Sequence, residues 1–281
     1  ETDGGDALTA RLRADLTSAR VRGIRHVRLN GYDPLTWSGV LDIVRYATAL
    51  GYRRMEVFSP ATRVADPDFC DELLSAMPPE RRFVIPIYGA TSKTHDEVVG
   101  RPGAHALMRQ AVANLTARGV ELQFQVVVTP QNLAEIRALC AQLGAEGHFV
   151  SLHLPYPTTE AKSDRYFDVA LAHQAIAEAL ADQLVADGPV EVAGRARAWR
   201  VGGLSPCVQL RAFRERGLEP EIWLDPSDEP AKITGTEYRD ERFLHRSEAA
   251  GQGIFAPPTV ACAWAGECSL ASECPKEHLR A

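Results

Sequence analysis

Residues Arg25 to Ser59, RHVRLNGYDPLTWSGVLDIVRYATALGYRRMEVFS, decide the fold. The stretch opens with an extended run over Arg25–Asn30 and turns at Gly31. Asp33-Pro34 then stand in helix-start order. Apolar residues recur at helical spacing over Leu35–Leu50, Gly51 stops the helix, and a second extended run follows at Arg54–Ser59. Two strands joined by a helix make a crossover unit, and such a crossover puts its strands parallel in one sheet.

The same unit repeats outward along the chain. Further strands are expected at Phe83–Tyr88, Glu121–Thr129 and Phe149–Leu154, with helices at Ala7–Arg22, Asp66–Met77, Ala104–Arg118 and Asn132–Leu143. Gly23, Gly51, Gly119 and Gly144 stand where left-handed caps end helices, and Pro67 marks another helix start. Five strands alternating with five helices predict an α/β fold, a partial (β/α) barrel of parallel strands. After a helix expected over Ser163–Ala186, glycine, proline and charge dominate. A boundary is therefore placed near residue 187, giving a barrel over 1–187 and a small loop-rich cysteine domain over 188–281. DPSDEP at Asp225–Pro230 reads as a loop, and Arg195–Arg200 as a solvated face.

Composition excludes some classes. A net charge of −6 gives no basic surplus for phosphate backbones, so nucleic acid is not an expected partner. The first residues are polar and acidic, and no apolar run reaches the roughly 20 residues of a membrane span, so a cytoplasmic protein is expected. In that compartment the six cysteines are expected as metal ligands or core residues rather than disulfides. No nucleophile triad order, phosphate loop or dinucleotide glycine fingerprint stands where it would work.

The sharpest local signal is Cys262-AWAGE-Cys268-SLASE-Cys274-Pro, three thiols spaced by six in irregular backbone. Cys207, in a Ser-Pro-Cys turn, is the candidate fourth ligand. Four thiolates suit a 4Fe-4S cluster or a tetrahedral zinc; the absence of paired C-x2–4-C knuckles and the closing Cys-Pro tilt the choice to a cluster. Cys70 and Cys140 fall inside amphipathic helices and are expected as packed core residues.

In parallel βα folds reactive groups gather at the carboxyl ends of strands. Those positions here hold Asn30-Gly31-Tyr32-Asp33-Pro34, Ser59-Pro60, Tyr88-Gly89, Thr129-Pro130 and His153. Asp33 suits either a helix cap or a carboxylate facing a ligand ammonium. His153 suits either a substrate contact or a satisfied core hydrogen bond. His95-Asp96 and Gly100–Gly103 are expected in a loop that starts the next helix, with Asp96 as its cap.

Together these segments resemble the radical S-adenosylmethionine (SAM) superfamily, over nearly the whole chain. LNGYDPL at Leu29–Leu35 is similar to that family's second-strand Gly-Gly-Glu-Pro motif, whose backbone and acid contact the SAM amino group. YGATSKTHDEVVGRPG at Tyr88–Gly103 and VVVTPQN at Val126–Asn132 follow its later strands. The resemblance implies that Gly31 and Asp33 hold the methionyl ammonium, with Tyr32 standing where the second glycine usually is and Pro34 following. It extends the SAM site to Tyr88, Thr129 and His153. The tail resembles auxiliary-cluster extensions, implying a 4Fe-4S cluster on Cys207, Cys262, Cys268 and Cys274.

The sequence departs from the family in having no C-x3-C-x2-C to bind the catalytic cluster. The expectation is that this loop and the first barrel strand lie immediately upstream in a parent protein. What the resemblance then implies is deoxyadenosyl radical chemistry on a peptide or protein substrate, fed by a donor such as flavodoxin or ferredoxin. Two rivals stand beside it: a non-catalytic barrel that binds or scaffolds, and an unrelated barrel enzyme with structural zinc.

Overall fold

The computed structural model describes residues 3–31, 33–153, 173–187, 199–202, 212 and 215–217. Their helices are α1 (Asp3–Val21), α2 (Val40–Ala49), α3 (Pro67–Ala76), α4 (Ser92–Val99), α5 (Ala104–Ala117), α6 (Ile136–Ala145) and α7 (His173–Asp187). The strands are β1 (His26–Leu29), β2 (Arg54–Phe58), β3 (Glu80–Pro86), β4 (Glu121–Val127), β5 (Phe149–His153) and β6 (Trp199–Gly202). The fold is the expected α/β class of parallel strands and crossover helices.

Two compact units share this chain, and β4 straddles the division between them. The first takes in Glu1–Ile87 and His95–Phe124. In it the strand order is β1-β2-β3-β4, and β1 pairs parallel with β2 and β2 with β3. Register sets Arg28 opposite Glu56 and Glu56 opposite Arg82, so these three lie in one row on one face. The alternate residues Met55, Val57 and Phe83 are fully buried, as are Ile43 and Val44 of α2, Leu73 of α3 and Leu115 of α5, within a few per cent. Each such aliphatic side chain contributes about 1.5–3 kcal/mol on burial. Polar contacts orient α1 on α2: Arg13 meets Asp42 at 2.6 Å, and the hydroxyls of Thr17 and Tyr46 lie 2.8 Å apart.

The second unit takes in Tyr88–Thr94 and Gln125–Pro230 among its segments. Its strand order is β4-β5-β6, with β5 and β6 parallel. Helix α6 packs on β5 and buries Ile136, Leu139 and Leu143. Helix α7 buries Ile176, Ala177, Leu180 and Ala181 completely; Ile176 and Leu180 are two of the apolar positions on which the sequence placed it, beside Ala170 and Leu171. Residues 163–172 of that expected helix lie outside the described residues.

Several elements differ from expectation for local reasons. The helix expected over Leu35–Leu50 splits into a 3-10 turn at Pro34–Thr36 and α2 from Val40, because Trp37 is extended and Gly39 precedes the new helix. A Cβ at Gly39 would lie 2.3 Å from the Trp37 ring, so the break is built around glycine. Asn132–Leu143 splits the same way, a 3-10 turn at Leu133–Glu135 leading into α6. Gly144 sits inside α6, and the left-handed residue is Gly147, at φ 82. Thr129 and Tyr88 stand beyond the ends of β4 and β3 rather than inside them.

His95 and Asp96 are in α4, not in a loop. Asp96 nonetheless caps the next helix as expected: its carboxylate accepts from Gly103 N at 2.6 Å and His105 N at 2.8 Å. Those bonds hold it below the ordinary carboxylate range. Strand β6 follows residue 187 and takes up Trp199 and Arg200 from the arginine-rich stretch expected as a solvated face. Among the described residues no helix is long and apolar enough to cross a membrane.

Candidate strand-end binding site

In the first unit the site is built on the turn after β1. Gly31 has φ 143, a conformation suited to glycine, and its N–H donates to Asn30 Oδ1 at 2.8 Å. Asp33 is extended and caps the 3-10 turn, with Pro34 at its first position. Its Oδ1 accepts from Leu35 N at 3.2 Å and from the Ser59 hydroxyl at 2.6 Å. The two alternatives for Asp33 thus use different oxygens: the cap takes Oδ1, while Oδ2 makes no hydrogen bond among the described residues.

Ser59 is placed by its own turn. It is buried at the end of β2, and its Oγ accepts from Ala61 N at 2.8 Å, which leaves its proton for Asp33. Ala61 is held at φ 60, a left-handed conformation rare for a residue with a side chain and characteristic of functional turns. Arg63 closes the arrangement. Its Nη1 donates to Leu35 O at 2.6 Å, and its guanidinium lies 3.8 Å from the Phe69 ring centroid. The Asp33 turn is therefore fixed from β2 and from the segment that follows it. The sequence marked Ser59 as a strand end but carried no signal for its bond to Asp33, 26 positions away.

In the second unit the ends of β4 and β5 meet. Val128 N donates to His153 O at 2.8 Å, and Ser151 Oγ lies 3.0 Å from His153 Nε2. Asn132 is fully buried and closes the turn after β4: Oδ1 accepts from Thr129 N at 2.8 Å, and Nδ2 donates to Val127 O at 2.9 Å. Thr129 is buried, and its Oγ1 has no hydrogen-bond partner among the described residues. A buried hydroxyl left without a partner costs about 1–3 kcal/mol, so its position asks for a ligand or water.

The loop after β3 is gathered by one carboxylate that the sequence did not single out. Glu135 accepts from Ala90 N at 2.8 Å, Thr91 N at 3.2 Å and Thr91 Oγ1 at 3.2 Å, and also from Thr94 Oγ1. Burial alone raises its pKa, but these four donors hold it below the usual value. Tyr88 heads this loop, and burial pushes its phenol upward.

Tyr32 lies outside the described residues, as do Cys207, Cys262, Cys268 and Cys274. Cys70 and Cys140 are buried in α3 and α6, as expected. Among the described residues no group of three metal-ligating side chains converges.

No protein-family model matches the chain. Over 128 residues it is 33% identical to a protein of Oleidesulfovibrio alaskensis named AdoMet-dependent heme synthase, covering 44% of this chain and 32% of that protein. A protein of the same name from Methanosarcina barkeri is 31% identical over 130 residues, covering 45% and 36%. The chain thus spans about a third of the length of the curated relatives it matches. Among solved structures, Streptococcus suis SuiB bound to S-adenosylmethionine aligns at a TM-score of 0.48 and 15% identity, over 74% of this chain and 44% of SuiB. Both sequence relatives carry a dependence on AdoMet in their names.

Proposed function

We propose that the chain is the core of a radical SAM enzyme, with SAM bound at the carboxyl ends of the parallel strands. The Asp33 carboxylate carries this reading. It stands where the family motif places an acid, and it is pinned through Oδ1 by Ser59 and Leu35 while Oδ2 stays uncommitted among the described residues. A carboxylate already fixed in place offers its second oxygen to an ammonium group at little further entropic cost. Gly31 supplies the turn that lets the backbone approach, with Tyr32 and Pro34 flanking the acid.

The polar atoms at the other strand ends fit a ligand as well. Thr129 Oγ1 is a buried hydroxyl with no hydrogen-bond partner among the described residues, and the family resemblance extends the proposed SAM contacts to Tyr88 and His153. SAM, when bound beside a reduced iron-sulfur cluster, supplies hydrogen-abstraction chemistry. The task of these residues is to orient it and to keep water out.

Cys70 and Cys140 are buried in separate helices and do not fit the catalytic cluster. That cluster is proposed on a C-x3-C-x2-C upstream in a parent protein. The auxiliary 4Fe-4S cluster is proposed on Cys207, Cys262, Cys268 and Cys274. The substrate suggested by the tail is a peptide or protein, with flavodoxin or ferredoxin as electron donor. A heme precursor is the second substrate reading, favoured by the names of the sequence relatives.

The test is anaerobic reconstitution of the full-length protein, reduction in the presence of SAM, and chromatography for 5′-deoxyadenosine. Turnover that falls at least tenfold in Asp33→Ala supports the assignment. A full-length sequence without the cysteine triad, or no deoxyadenosine from an iron-loaded protein, overturns it in favour of a non-catalytic barrel.

A further inference from the structure

The first unit carries a charged row that the SAM site does not use. Arg28, Glu56 and Arg82 lie side by side on β1, β2 and β3, on the sheet face opposite buried Met55, Val57 and Phe83. Glu56 is 9% exposed and is flanked by both guanidiniums: Arg28 Nε lies 2.5 Å from Oε1, and Arg82 Nη1 lies 3.4 Å from Oε2. Arg82 also pairs with Glu121 through Nη2; its Nε, like Glu56 Oε1, is buried without a hydrogen-bond partner among the described residues, so Arg28 meets Glu56 as an ion pair.

The two arginines differ in what they leave open. Arg82 spends both terminal nitrogens on Glu56 and Glu121. Arg28 spends only Nε, its guanidinium lies 4.8 Å from the Phe58 ring centroid, and its side chain is 48% exposed. Glu56 lies against one side of this guanidinium and Phe58 covers a face, so the plane is oriented while the two Nη groups make no hydrogen bond among the described residues. That terminal fork matches the two oxygens of a carboxylate. Arg28 and Arg82 together neutralise the buried acid, and Arg28 does so through one edge of its guanidinium. Its position is two residues before Asn30, on the strand that leads into the Asp33 turn.

We propose that Arg28, set by Glu56 and Phe58, is the receptor for a carboxylate of the substrate. The assignment rests on the radical SAM reading for the word substrate, while the carboxylate site itself stands on the row alone. Two sources carry this chemistry: an acidic side chain of a peptide, and a carboxylate of a heme-type tetrapyrrole.

The full-length protein is titrated with hemin and with hemin dimethyl ester, and separately with a hexaglutamate and a hexaglutamine peptide, in wild type, Arg28→Gln and Arg28→Lys. Equilibrium dialysis with labelled SAM is run on the same samples. The expected result is that one acid binds at least tenfold more tightly than its neutral counterpart, the loss of a charge-assisted contact. Arg28→Gln abolishes that preference, Arg28→Lys keeps part of it, and SAM retention is equal in all three. The probe that shows the preference identifies the source. Equal binding of acid and neutral forms, no binding of any probe, or a preference that survives Arg28→Gln overturns the proposal. Loss of SAM retention in wild type overturns the SAM reading instead, and leaves the carboxylate preference to be judged separately.

Discussion

The hydroxyl of Ser59 donates to Asp33 Oδ1 across 2.6 Å, joining the end of β2 to the turn after β1. Replacing Ser59 with alanine removes this tie and the acceptor for Ala61 N, while Leu35 N keeps its bond to Asp33. The expected loss of stability is about 1–2 kcal/mol by urea denaturation. SAM retention in equilibrium dialysis is expected to fall more steeply than that loss explains, because Asp33 is then free to turn. Retention equal to wild type would separate Ser59 from the ligand.

Thr129→Val separates stability from binding in the opposite direction. Valine keeps the shape and removes the buried hydroxyl that lacks a partner among the described residues. Without ligand the variant is expected to be as stable as wild type or up to about 1 kcal/mol more so. SAM affinity is expected to drop severalfold. A variant that loses stability without ligand would show that Oγ1 is already satisfied by water.

Glu135→Ala removes the carboxylate that accepts from Ala90 N, Thr91 N and the hydroxyls of Thr91 and Thr94. The helices are expected to stay intact by circular dichroism. Hydrogen exchange at the Ala90 and Thr91 amides is expected to accelerate, since these amides then lack their acceptor. Unchanged protection at both would show that the loop is held by other contacts.

His95 sets a pH dependence. It is 3% exposed, and burial, with His105 beside it, lowers its pKa to about 4 from 6.5. The unfolded chain therefore binds the proton more readily than the folded one between those values. Stability is full above about pH 6.5 and falls as pH drops toward 4, by on the order of 3 kcal/mol once the difference is complete. Urea midpoints from pH 7 to pH 4 are expected to show this slope, and His95→Gln is expected to flatten it. An equal slope in the variant would assign it to His105, whose pKa burial also lowers, or to carboxylates.

How much of this was legible in the sequence follows from the range of each interaction. Strand β4 and the apolar faces of α3 and α7 announce themselves by periodicity, which depends on near neighbours alone. Asp33 was visible as an acid before proline, and the choice between cap and ligand needed to know which oxygen the cap consumes. Ser59 and Asp33 are partners across a crossover, and Glu135 reaches back to a loop more than 40 positions earlier. Neither pairing leaves a local pattern. The break before α2 was missed because Leu35 continues the apolar spacing, while the decisive event is the contact between Trp37 and Gly39.

Strand β4 alternates buried Leu122, Phe124 and Val126 with the less buried Gln123, Gln125 and Val127. Odd and even positions of this strand therefore answer to different selections. In a substitution library sorted by a folding reporter, positions 122, 124 and 126 would hold nearly fixed while 123 and 125 drift. Sorted by turnover, any constraint at 123 and 125 would appear for the first time. The disagreement between the two screens, position by position along seven residues, would chart the working face of the sheet without a bound ligand.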